Sequence, residues 1–414
     1  MGGGRRAGRN EAAPSGGVYR ARNPRASPLY QCAACHAGEL READRFYRPV
    51  EEEVIGRFLE CGDPHYGFAR IYCDGCGHDY LLAFSCKTRY YCPSCHQKRV
   101  IAYGERVEDN VLAPVAHRQY VFTLPRLLWP IIAISRAWLG ELYRIAARLL
   151  ERAYAEALPG GRPGLVLFVQ TFGDLVNFHP HVHVLAADGA FRADSAFVEL
   201  PAVPEELLSA AFRSEVLKVL VAERAVSEQL AQDMLGWQHS GFSVHNRVRV
   251  AKDDAEGRKQ LARTMLRAPL SLAKMTYDAK SGTVLYRSKM HAGLKRNFQV
   301  MAGAEWLELL CRHIPDRYEH LVRYVGWYAN RSRGERAKRA ASNTVAAVVE
   351  NLSEFALRAK AAWARLMRKV YEVDPLECPR CKGPMRVIAL IEEPEADPQH
   401  PHAPGAVGAP APAR

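Results

Sequence analysis

Between residues 117 and 200, the hydrophobic and polar positions predict strands around one amphipathic helix. Three segments have the apolar runs and the β-branched or aromatic side chains typical of strands: "HRQYVFTL" (117–124), "GLVLFVQTF" (164–172) and "HVHVLAADGAF" (181–191). The segment between the first two, 135–158, repeats apolar residues at helical spacing. The dipeptide Asp188-Gly189 predicts a hairpin turn. This block therefore predicts an α+β domain.

The flanking segments divide the rest of the chain. Residues 203–235 predict helices, followed by a possible strand at "FSVHNRVRV" (242–250). Residues 255–375 predict a mainly helical, basic region, interrupted by a hairpin at "MTYDAKSGTVLYRS" (275–288). The composition predicts a mostly disordered N-terminal extension over 1–46 and a disordered Pro/Ala-rich tail over 392–414. Between them we expect a cysteine-rich domain over 47–110, a main domain over 111–375 and a short cysteine knuckle over 376–391.

The charge balance indicates an anionic partner. The formal net charge is +12, which favours nucleic acid first and a membrane surface second. The apolar run "LLWPIIAI" (127–134) is too short to cross a bilayer, and the N-terminus lacks the apolar core of a signal peptide. We therefore expect a cytoplasmic protein without a membrane partner.

Eight of the eleven cysteines form four Cys-x-x-Cys pairs, at 32/35, 73/76, 92/95 and 378/381. Because thiols in the cytoplasm rarely pair as disulfides, this regularity predicts metal binding. Fifteen residues separate Cys76 from Cys92, a spacing typical of a structural zinc site. The simplest assignment is one Zn²⁺ on Cys73, Cys76, Cys92 and Cys95, in a zinc-ribbon-like domain. It leaves out nearby residues that are able to enlarge the site, namely Cys61, His65, His78 and Cys86.

The remaining pairs and the basic residues around the cysteines are less specific. Cys378-x-x-Cys381 has no obvious local partner, and a site shared with Cys32 and Cys35 is conceivable. Basic side chains alternate with Tyr90 and Tyr91, which suits a phosphate backbone with stackable bases. The alternative is a solvated face around the zinc site. The candidate DNA contacts in this stretch are Arg89, Lys98 and Arg99.

"NFHPHVHVLAADG" (177–189) carries three histidines in five positions. If residues 180–187 are extended, His181 and His183 point to one face about 7 Å apart, which suits two ligands of one ion. His179 would share that face unless Pro180 turns it away. The alternative is a polar strand face of hydrogen-bonded histidines. A third ligand would come from Gln170, at the end of the preceding strand, or from Asp174 in the connection.

Three strings stand in a recognisable order along the chain: "CGDPHYGFARIYCDGC" (61–76), "FVQTFGDLVNFHPHVHVLAADG" (168–189) and "HIPDRYEHLVRYVGWYANRSRG" (313–334). With these strings the chain resembles the bacterial insertion-sequence transposases of the rolling-circle, two-tyrosine type. These are members of the HUH (His-hydrophobe-His) nuclease superfamily. The resemblance covers roughly residues 47–390.

The resemblance implies a ferredoxin-like α+β domain with a central antiparallel sheet, preceded by a zinc-binding domain. It implies that His181-Val182-His183 is the HUH motif, which binds Mg²⁺ or Mn²⁺, and it favours Gln170 as the third ligand. The implied reaction is attack of a tyrosine on a DNA phosphate, which gives a 5′-phosphotyrosine and a 3′-OH. The implied partners are single-stranded and hairpin DNA at transposon ends, in a bacterial cytoplasm where the bound protein is associated with the nucleoid.

The nucleophile is expected in "RYVGWYANRSRGERAKR" (323–339). The i, i+4 spacing of Tyr324 and Tyr328 predicts both hydroxyls on one helix face. The alternative is that both rings pack in a core. We take Tyr324 as the nucleophile and Tyr328 as the second catalytic tyrosine. The flanking arginines are expected to hold phosphates, namely Arg323, Arg331, Arg333 and Arg336.

One segment departs from the family pattern. "LARTMLRAPLS" (261–271) is similar to a segment that carries Arg-Tyr in many relatives, where this chain has Arg263-Thr264. A threonine hydroxyl is far less acidic than that of tyrosine. If the nucleophile belongs there, the chain uses Tyr324, Tyr328 or Tyr277 instead, or it is a zinc-containing protein that binds transposon ends and has lost cleavage. A metallohydrolase with an unrelated substrate is a third hypothesis.

Overall fold

The computed structural model describes residues 24–44, 48–291, 296–342 and 377–392. These residues form two compact units. The smaller unit combines residues 64–83 with 377–392, and the larger combines the described parts of 24–63 and 84–342. The expected disorder of residues 1–23 and 393–414, and the expected helices over 343–376, lie outside the described residues.

Antiparallel strands and α-helices alternate along the chain. The strands are β1 (Phe68–Cys73), β2 (Asp79–Ala83), β3 (His117–Thr123), β4 (Arg162–Phe172), β5 (Phe178–Phe191), β6 (Phe197–Glu199), β7 (Ser243–His245), β8 (Arg249–Val250), β9 (Met275–Asp278), β10 (Thr283–His291), β11 (Arg296–Ala302), β12 (Val322–Gly326) and β13 (Met385–Ile391). The helices are α1 (Pro28–Glu42), α2 (Pro49–Leu59), α3 (Pro93–Asn110), α4 (Trp129–Ile134), α5 (Ala137–Ala157), α6 (Glu205–Ala222), α7 (Glu228–Gly236), α8 (Ala255–Met265), α9 (Gly303–Cys311) and α10 (Asn330–Ser342).

The larger unit is built on a seven-stranded antiparallel sheet. Its strand order is β12-β4-β5-β3-β7, with β6 added to β5 and β8 added to β3. The chain passes through β3, α5, β4, β5, α6 and β7 in turn, a strand–helix–strand–strand–helix–strand path. The three strands and the helix predicted over 117–191 are confirmed, and the α+β class with antiparallel sheets is confirmed with them.

Helix α5 covers one face of this sheet because its apolar stripe is continuous. The hydroxyl of Tyr154, near the end of α5, lies 3.2 Å from that of Tyr120 on β3. Tyr120 lies opposite Val184 on β5, so α5 packs against the face to which Val182 and Val184 point. The other face of β5 carries the histidines. The buried apolar stripe of α5 consists of Leu139, Leu142, Ile145, Ala146, Leu149 and Leu150.

The predicted hairpin at Asp188-Gly189 is wrong, because β5 continues through both residues to Phe191. The carboxylate of Asp188 accepts hydrogen bonds from Arg118 at 2.7 Å and Arg249 at 2.5 Å, and the side chain is buried. Gly189 is required by a close approach, since a Cβ there would meet the carbonyl oxygen of Val198 on β6. Asp188 therefore forms ion pairs and Gly189 allows the close approach of β6, and neither residue forms a turn.

The N-terminal extension is more ordered than predicted. Residues 28–42 form α1, whose first turn is capped by Ser27, and α1 buries Leu29, Cys32 and Ala33. The region after 255 is also less helical than predicted. The hairpin over 275–288 is confirmed as β9 and β10, but β11 extends it to a three-stranded sheet and residues 322–326 form strand β12. Within the described residues, no helix is both long and apolar enough to span a membrane.

Buried histidines make the larger unit sensitive to acid, and three of them lie outside strand β5. Burial lowers the pKa of His96 to about 4, of His117 to about 4 and of His313 to about 3. Since an exposed histidine titrates near pH 6.5, the unfolded chain binds protons first as the pH falls. Stability is therefore full above about pH 6.5 and is lost progressively toward pH 4.

We expect the unfolding temperature to fall between pH 7.5 and pH 5, where each histidine contributes roughly 2 kcal/mol to the loss. Circular dichroism on heating measures the change. His313→Gln is the matched variant, because it removes one titrating group from a site where the ring contacts Thr171 and the carbonyl oxygen of Val176. The variant should show a shallower pH dependence than the wild type. Equal slopes would contradict the assignment.

Candidate active site and metal centres

Strand β5 places three imidazoles in a row on one face of the central sheet. The ring centroids of His181 and His183 are 4.7 Å apart, and those of His179 and His181 are 5.0 Å apart. The ring of His179 also packs on Trp129, at 4.7 Å. Pro180 therefore does not turn His179 away. The alternation predicted for this strand is confirmed, since Val182 on the opposite face is fully buried.

Gln170 lies beside this row. It stands on β4 directly opposite His181, so the two side chains share a face of the sheet. Its amide nitrogen donates to the carbonyl oxygen of Met265 at 2.5 Å. Its buried Oε1 has no hydrogen-bond partner within the described part of the chain. An unsatisfied buried oxygen costs about 1–3 kcal/mol, so a ligand at this atom would remove a penalty.

Both His181 and His183 are neutral rings at pH 7, which is the form of imidazole that can bind a metal. Burial lowers the pKa of His181 to about 4. Burial, together with nearby His181 and Arg267, holds the pKa of His183 well below its usual range. Nδ1 of His181 donates to the carbonyl oxygen of His179 at 2.8 Å, which leaves Nε2 as the nitrogen with a lone pair. The side-chain amide nitrogen of Gln119 lies 2.8 Å from Nδ1 of His183. Turning this amide over would place its oxygen against Nδ1, which then donates and leaves the lone pair on Nε2.

The end of helix α8 lies over Gln170 and carries the segment that departs from the family pattern. The carbonyl oxygen of Thr264 is 3.4 Å from the Gln170 amide nitrogen. The Thr264 side chain is exposed, and its hydroxyl donates to the carbonyl oxygen of Gln260. The exposed Arg267 follows, and its positive charge helps to lower the pKa of both His181 and His183. Thr264 and Arg267 therefore lie at the candidate metal centre.

Tyr324 shares the sheet face of the histidines but lies on another strand. It stands on β12 opposite Val166, while Val322 pairs with Phe168, which lies opposite His183. Two strand spacings separate β12 from β5, roughly 10 Å. The half-buried Tyr324 donates its hydroxyl to that of Tyr103 on α3, at 3.2 Å.

The predicted helical pairing of the two tyrosines is wrong. Tyr324 lies in a strand, and Tyr328 follows in the turn before α10. Tyr328 is fully buried, and its hydroxyl accepts from the amide of Ala113 and lies 2.8 Å from Nε2 of His117. Burial raises its pKa. DNA cannot reach this hydroxyl without local unfolding, so the structure favours the alternative of a core residue at this position.

The cysteines assemble in two groups, and the predicted grouping is wrong. Cys92 and Cys95 do not meet Cys73 and Cys76. The first pair lies with Cys61 and Cys86, and the second with Cys378 and Cys381, each set with its sulfur atoms within 4.8 Å of one another. The physical reason is that residues 77–91 do not form a simple connecting loop. Strand β2 pairs with β1 instead, which places Cys73 and Cys76 in another unit.

The group of Cys61, Cys86, Cys92 and Cys95 has the geometry of a closed zinc site. Sγ of Cys61 lies 3.9 Å from that of Cys92 and 3.7 Å from that of Cys95, and Sγ of Cys86 lies 3.5 Å from that of Cys95. Four sulfurs at Zn–S distances near 2.3 Å stand about 3.8 Å apart in a tetrahedron. Cys92 also caps α3, since its sulfur accepts from the amide of Cys95.

Two of the predicted DNA contacts are exposed and remain candidates, and the other five are half-buried. The exposed ones are Arg99 and Arg331, of which Arg331 also pairs with Glu335 on α10. Arg323 points to the face of the sheet opposite to the histidines, where it lies over Tyr143. The other four contact protein groups. Arg89 donates to the carbonyl oxygen of Glu319, Arg333 to those of Tyr328 and Asn110, Arg336 lies 3.9 Å over Trp327, and burial lowers the pKa of Lys98.

Sequence reasoning missed the residues that come to these sites from distant segments. The simplest assignment leaves out Cys61 and Cys86, and the sequence predicts no partner for Cys378 and Cys381. No sequence pattern singles out Tyr103, Gln119 or Arg267. For Cys61 and Cys86 a signal exists, because both lie in the same cysteine-rich region as Cys92 and Cys95. The others depend on strand and helix packing that no local spacing indicates.

Comparison with known proteins decides the family. The family model "Putative transposase" matches residues 164–336, and the model "Transposase zinc-binding domain" matches residues 32–124. A relative, the transposase for insertion sequence element IS801 from Pseudomonas savastanoi pv. phaseolicola, is 26% identical over 378 residues, which covers 88% of this chain and 89% of the relative. The chain belongs to the insertion-sequence transposases with an N-terminal zinc-binding domain.

A second relative agrees with this family. The putative transposase y4qJ from Sinorhizobium fredii (strain NBRC 101917 / NGR234) is 27% identical over 289 residues, which covers 64% of this chain and 71% of the relative. No solved structure matches the chain. The transposase therefore processes DNA and binds zinc, and the zinc-binding match contains the group of Cys61, Cys86, Cys92 and Cys95.

Proposed function

We propose that the transposase cleaves and rejoins single-stranded DNA at the ends of its element. In this proposal His181, His183 and Gln170 hold Mg²⁺ or Mn²⁺, and Tyr324 is the nucleophile. The single observation that carries the proposal is the orphaned Oε1 of Gln170, which is buried beside His181. The strand order β7-β3-β5-β4 on its strand–helix–strand–strand–helix–strand path supports a ferredoxin-like HUH domain.

The donor set fits a catalytic divalent ion. Two neutral imidazoles and one amide oxygen leave coordination positions open for a phosphate, as a catalytic site requires. When bound, the ion would polarise the scissile phosphate and offset its negative charge. Gln119 and the carbonyl oxygen of His179 orient the two imidazoles through their Nδ1 atoms. Arg267 is placed to contact a phosphate oxygen from the open side of the pair.

The reaction transfers the DNA phosphoryl group to the Tyr324 oxygen and needs no external energy source. The Tyr324 hydroxyl loses its proton, its oxygen forms a bond to phosphorus, and the bond from phosphorus to the 3′ oxygen breaks. The 3′ oxygen takes up a proton and leaves as a 3′-OH. Rejoining reverses these changes, so the phosphodiester is conserved. In this proposal, the Tyr324 hydroxyl breaks its hydrogen bond to the Tyr103 hydroxyl before it attacks. Tyr103 therefore acts as a positioning residue that holds the Tyr324 side chain before the reaction.

A covalent adduct tests the proposal. The full chain is incubated with Mg²⁺ or Mn²⁺ and labelled single-stranded oligonucleotides from both ends of its own element. We expect a protein–DNA band that survives denaturation and requires the metal. Tyr324→Phe should abolish the band, while Tyr277→Phe, on the separate β9–β11 sheet, should keep it. A Tyr324→Phe protein that still forms the adduct would show that another residue is the nucleophile.

The role of Arg267 has a separate test. Arg267→Ala is expected to slow cleavage by roughly ten- to a hundredfold, because one charge-assisted phosphate contact is lost, and Arg267→Lys should restore part of the rate. Arg152→Ala is the matched control, since Arg152 is exposed on α5, the helix on the opposite sheet face. Equal rates for Arg267→Ala and Arg152→Ala would remove Arg267 from the site.

Thr264 favours a second candidate function, a transposon-end DNA-binding protein that has lost cleavage. Thr264 stands beside Gln170, where the resemblance places a tyrosine in many relatives. In that case the metal pair persists without a nucleophile. The adduct assay separates the two functions, because such a protein binds the same oligonucleotides and yields no adduct. Thr264→Tyr should then create adduct formation.

A further inference from the structure

The second cysteine group, outside the candidate active site, combines two Cys-x-x-Cys pairs that lie more than 300 residues apart in the sequence. Sγ of Cys73 lies 3.4 Å from that of Cys381, and Sγ of Cys76 lies 3.5 Å from that of Cys378. These separations are close to the sulfur spacing of about 3.8 Å in a tetrahedral zinc site. Cys378 and Cys381 fall outside both segments matched by the family models.

The two Cys-x-x-Cys turns have the same backbone conformation. In the first turn, the amide of Gly77 donates to the carbonyl oxygen of Cys73, and the amide of Cys73 donates to that of His78. In the second turn, Lys382 donates to Cys378, and Cys378 donates to Gly383. The spacing is identical in both turns.

The fifth residue of each turn, Gly77 or Lys382, has a positive φ, of 70° and 61°. A lysine in this left-handed region costs free energy, so the surrounding structure must stabilise the turn. Two turns with matched amide bonds and matched left-handed residues are the arrangement by which paired zinc knuckles present four sulfurs to one ion.

The strands of the smaller unit bring the two turns together. Cys73 is the last residue of β1, which pairs with β2 on one side and with β13 on the other. Met385 of β13 lies opposite Cys73, and the second turn immediately precedes it. The buried apolar cluster here consists of Ile71, Cys73, Cys378 and Met385 alone among the described residues. A core this small does not stabilise a unit of this size without a cross-link such as a bound metal ion.

We propose that Cys73, Cys76, Cys378 and Cys381 bind a second structural zinc ion, which ties residues 64–83 to residues 377–392. All four coordination positions are filled by protein thiolates, so this ion has a folding role and no place for a substrate. The transposase then carries two zinc ions per chain, one in each compact unit. The C-terminal knuckle is a part of the zinc-binding architecture although it lies far from the N-terminal cysteines in sequence.

Metal stoichiometry tests this site. Native mass spectrometry of the full chain should show two zinc ions, and Cys378→Ser/Cys381→Ser should show one. Cys35→Ser/Cys311→Ser is the matched control, because neither cysteine belongs to a group in the described structure, and it should keep two. One zinc ion in the wild type, or two in the Cys378→Ser/Cys381→Ser variant, would overturn the proposal.

Thiol labelling of the wild type avoids the effect of an unfolded variant. Cys35, Cys76 and Cys381 are all exposed, so burial protects none of them from alkylation. With zinc present, we expect Cys76 and Cys381 to react about tenfold or more slowly than Cys35, since a zinc-bound thiolate is a poor nucleophile. A strong zinc chelator should make the three rates similar. Cys76 and Cys381 reacting as fast as Cys35 before chelation would overturn the site.

Discussion

Replacing His181 with alanine is expected to abolish strand cleavage while leaving DNA binding nearly unchanged. In the proposed site, the substitution would remove one of two imidazole ligands and leave Gln170 and His183 to hold the ion. Loss of charge compensation at the scissile phosphate should slow cleavage by roughly a thousandfold or more, about 4 kcal/mol in activation free energy. Cleavage is measured under single-turnover conditions, and binding is measured in parallel by fluorescence anisotropy with a labelled single strand.

His179→Ala is the matched control for this prediction. Its ring stands next to His181 in the same row, but its contribution to the site is a carbonyl oxygen that the substitution preserves. We expect it to retain much of the wild-type rate. His181→Ala cleaving at a similar rate to His179→Ala would remove the histidine pair from the chemistry. A loss of DNA binding in His181→Ala equal to the loss of cleavage would point to unfolding and is checked by circular dichroism.

Replacing Cys95 with serine is expected to cost the larger unit its zinc ion and much of its fold. Cys95 contacts both Cys61 and Cys86, so the substitution removes one of the four thiolates that would fill the coordination positions of the ion. Structural zinc contributes about 10–16 kcal/mol in zinc-finger peptides, which exceeds the net stability of most domains. The measurement is zinc content together with the unfolding temperature.

Cys35→Ser is the control for Cys95→Ser, because Cys35 is exposed and lies outside both cysteine groups. It should keep the wild-type zinc content and unfolding temperature. Cys95→Ser should lose one zinc ion and lower the unfolding temperature by ten degrees or more, since a loss of 1 kcal/mol shifts it by about 2–4 °C in a domain of this size. An unchanged zinc content in Cys95→Ser would reject this group as the site.

Features that depend on local spacing could be predicted from the sequence. The period of two along β5 placed His181 and His183 on one face and Val182 in the core, and the run ending in Gln170 formed the neighbouring strand β4. Each of these follows from the alternation of a single strand and from the pairing of consecutive strands. The sheet face that carries the histidines and Gln170 could therefore be predicted without knowledge of distant segments.

Features that depend on long-range pairing could not be predicted. The partner of Cys73 is set by the pairing of β1 with β13, more than 300 residues later, and no spacing rule extends so far. The i, i+4 spacing of Tyr324 and Tyr328 also fits a strand followed by a turn, so it did not distinguish a helix from the observed β12. Gly164 leaves room for the buried ring of Tyr328, because a Cβ at residue 164 would collide with that ring.

Manganese binding observed by electron paramagnetic resonance tests the metal centre most directly. Mn²⁺ is added to the full chain, and pulsed methods measure its hyperfine coupling to nitrogen. We predict one bound Mn²⁺ coupled to two imidazole nitrogens, to one in His181→Ala and to none in His181→Ala/His183→Ala, while Tyr324→Phe keeps the wild-type spectrum. Wild-type protein without nitrogen-coupled Mn²⁺, or coupling that persists in the double variant, would contradict the assignment of His181, His183 and Gln170 as the catalytic metal ligands.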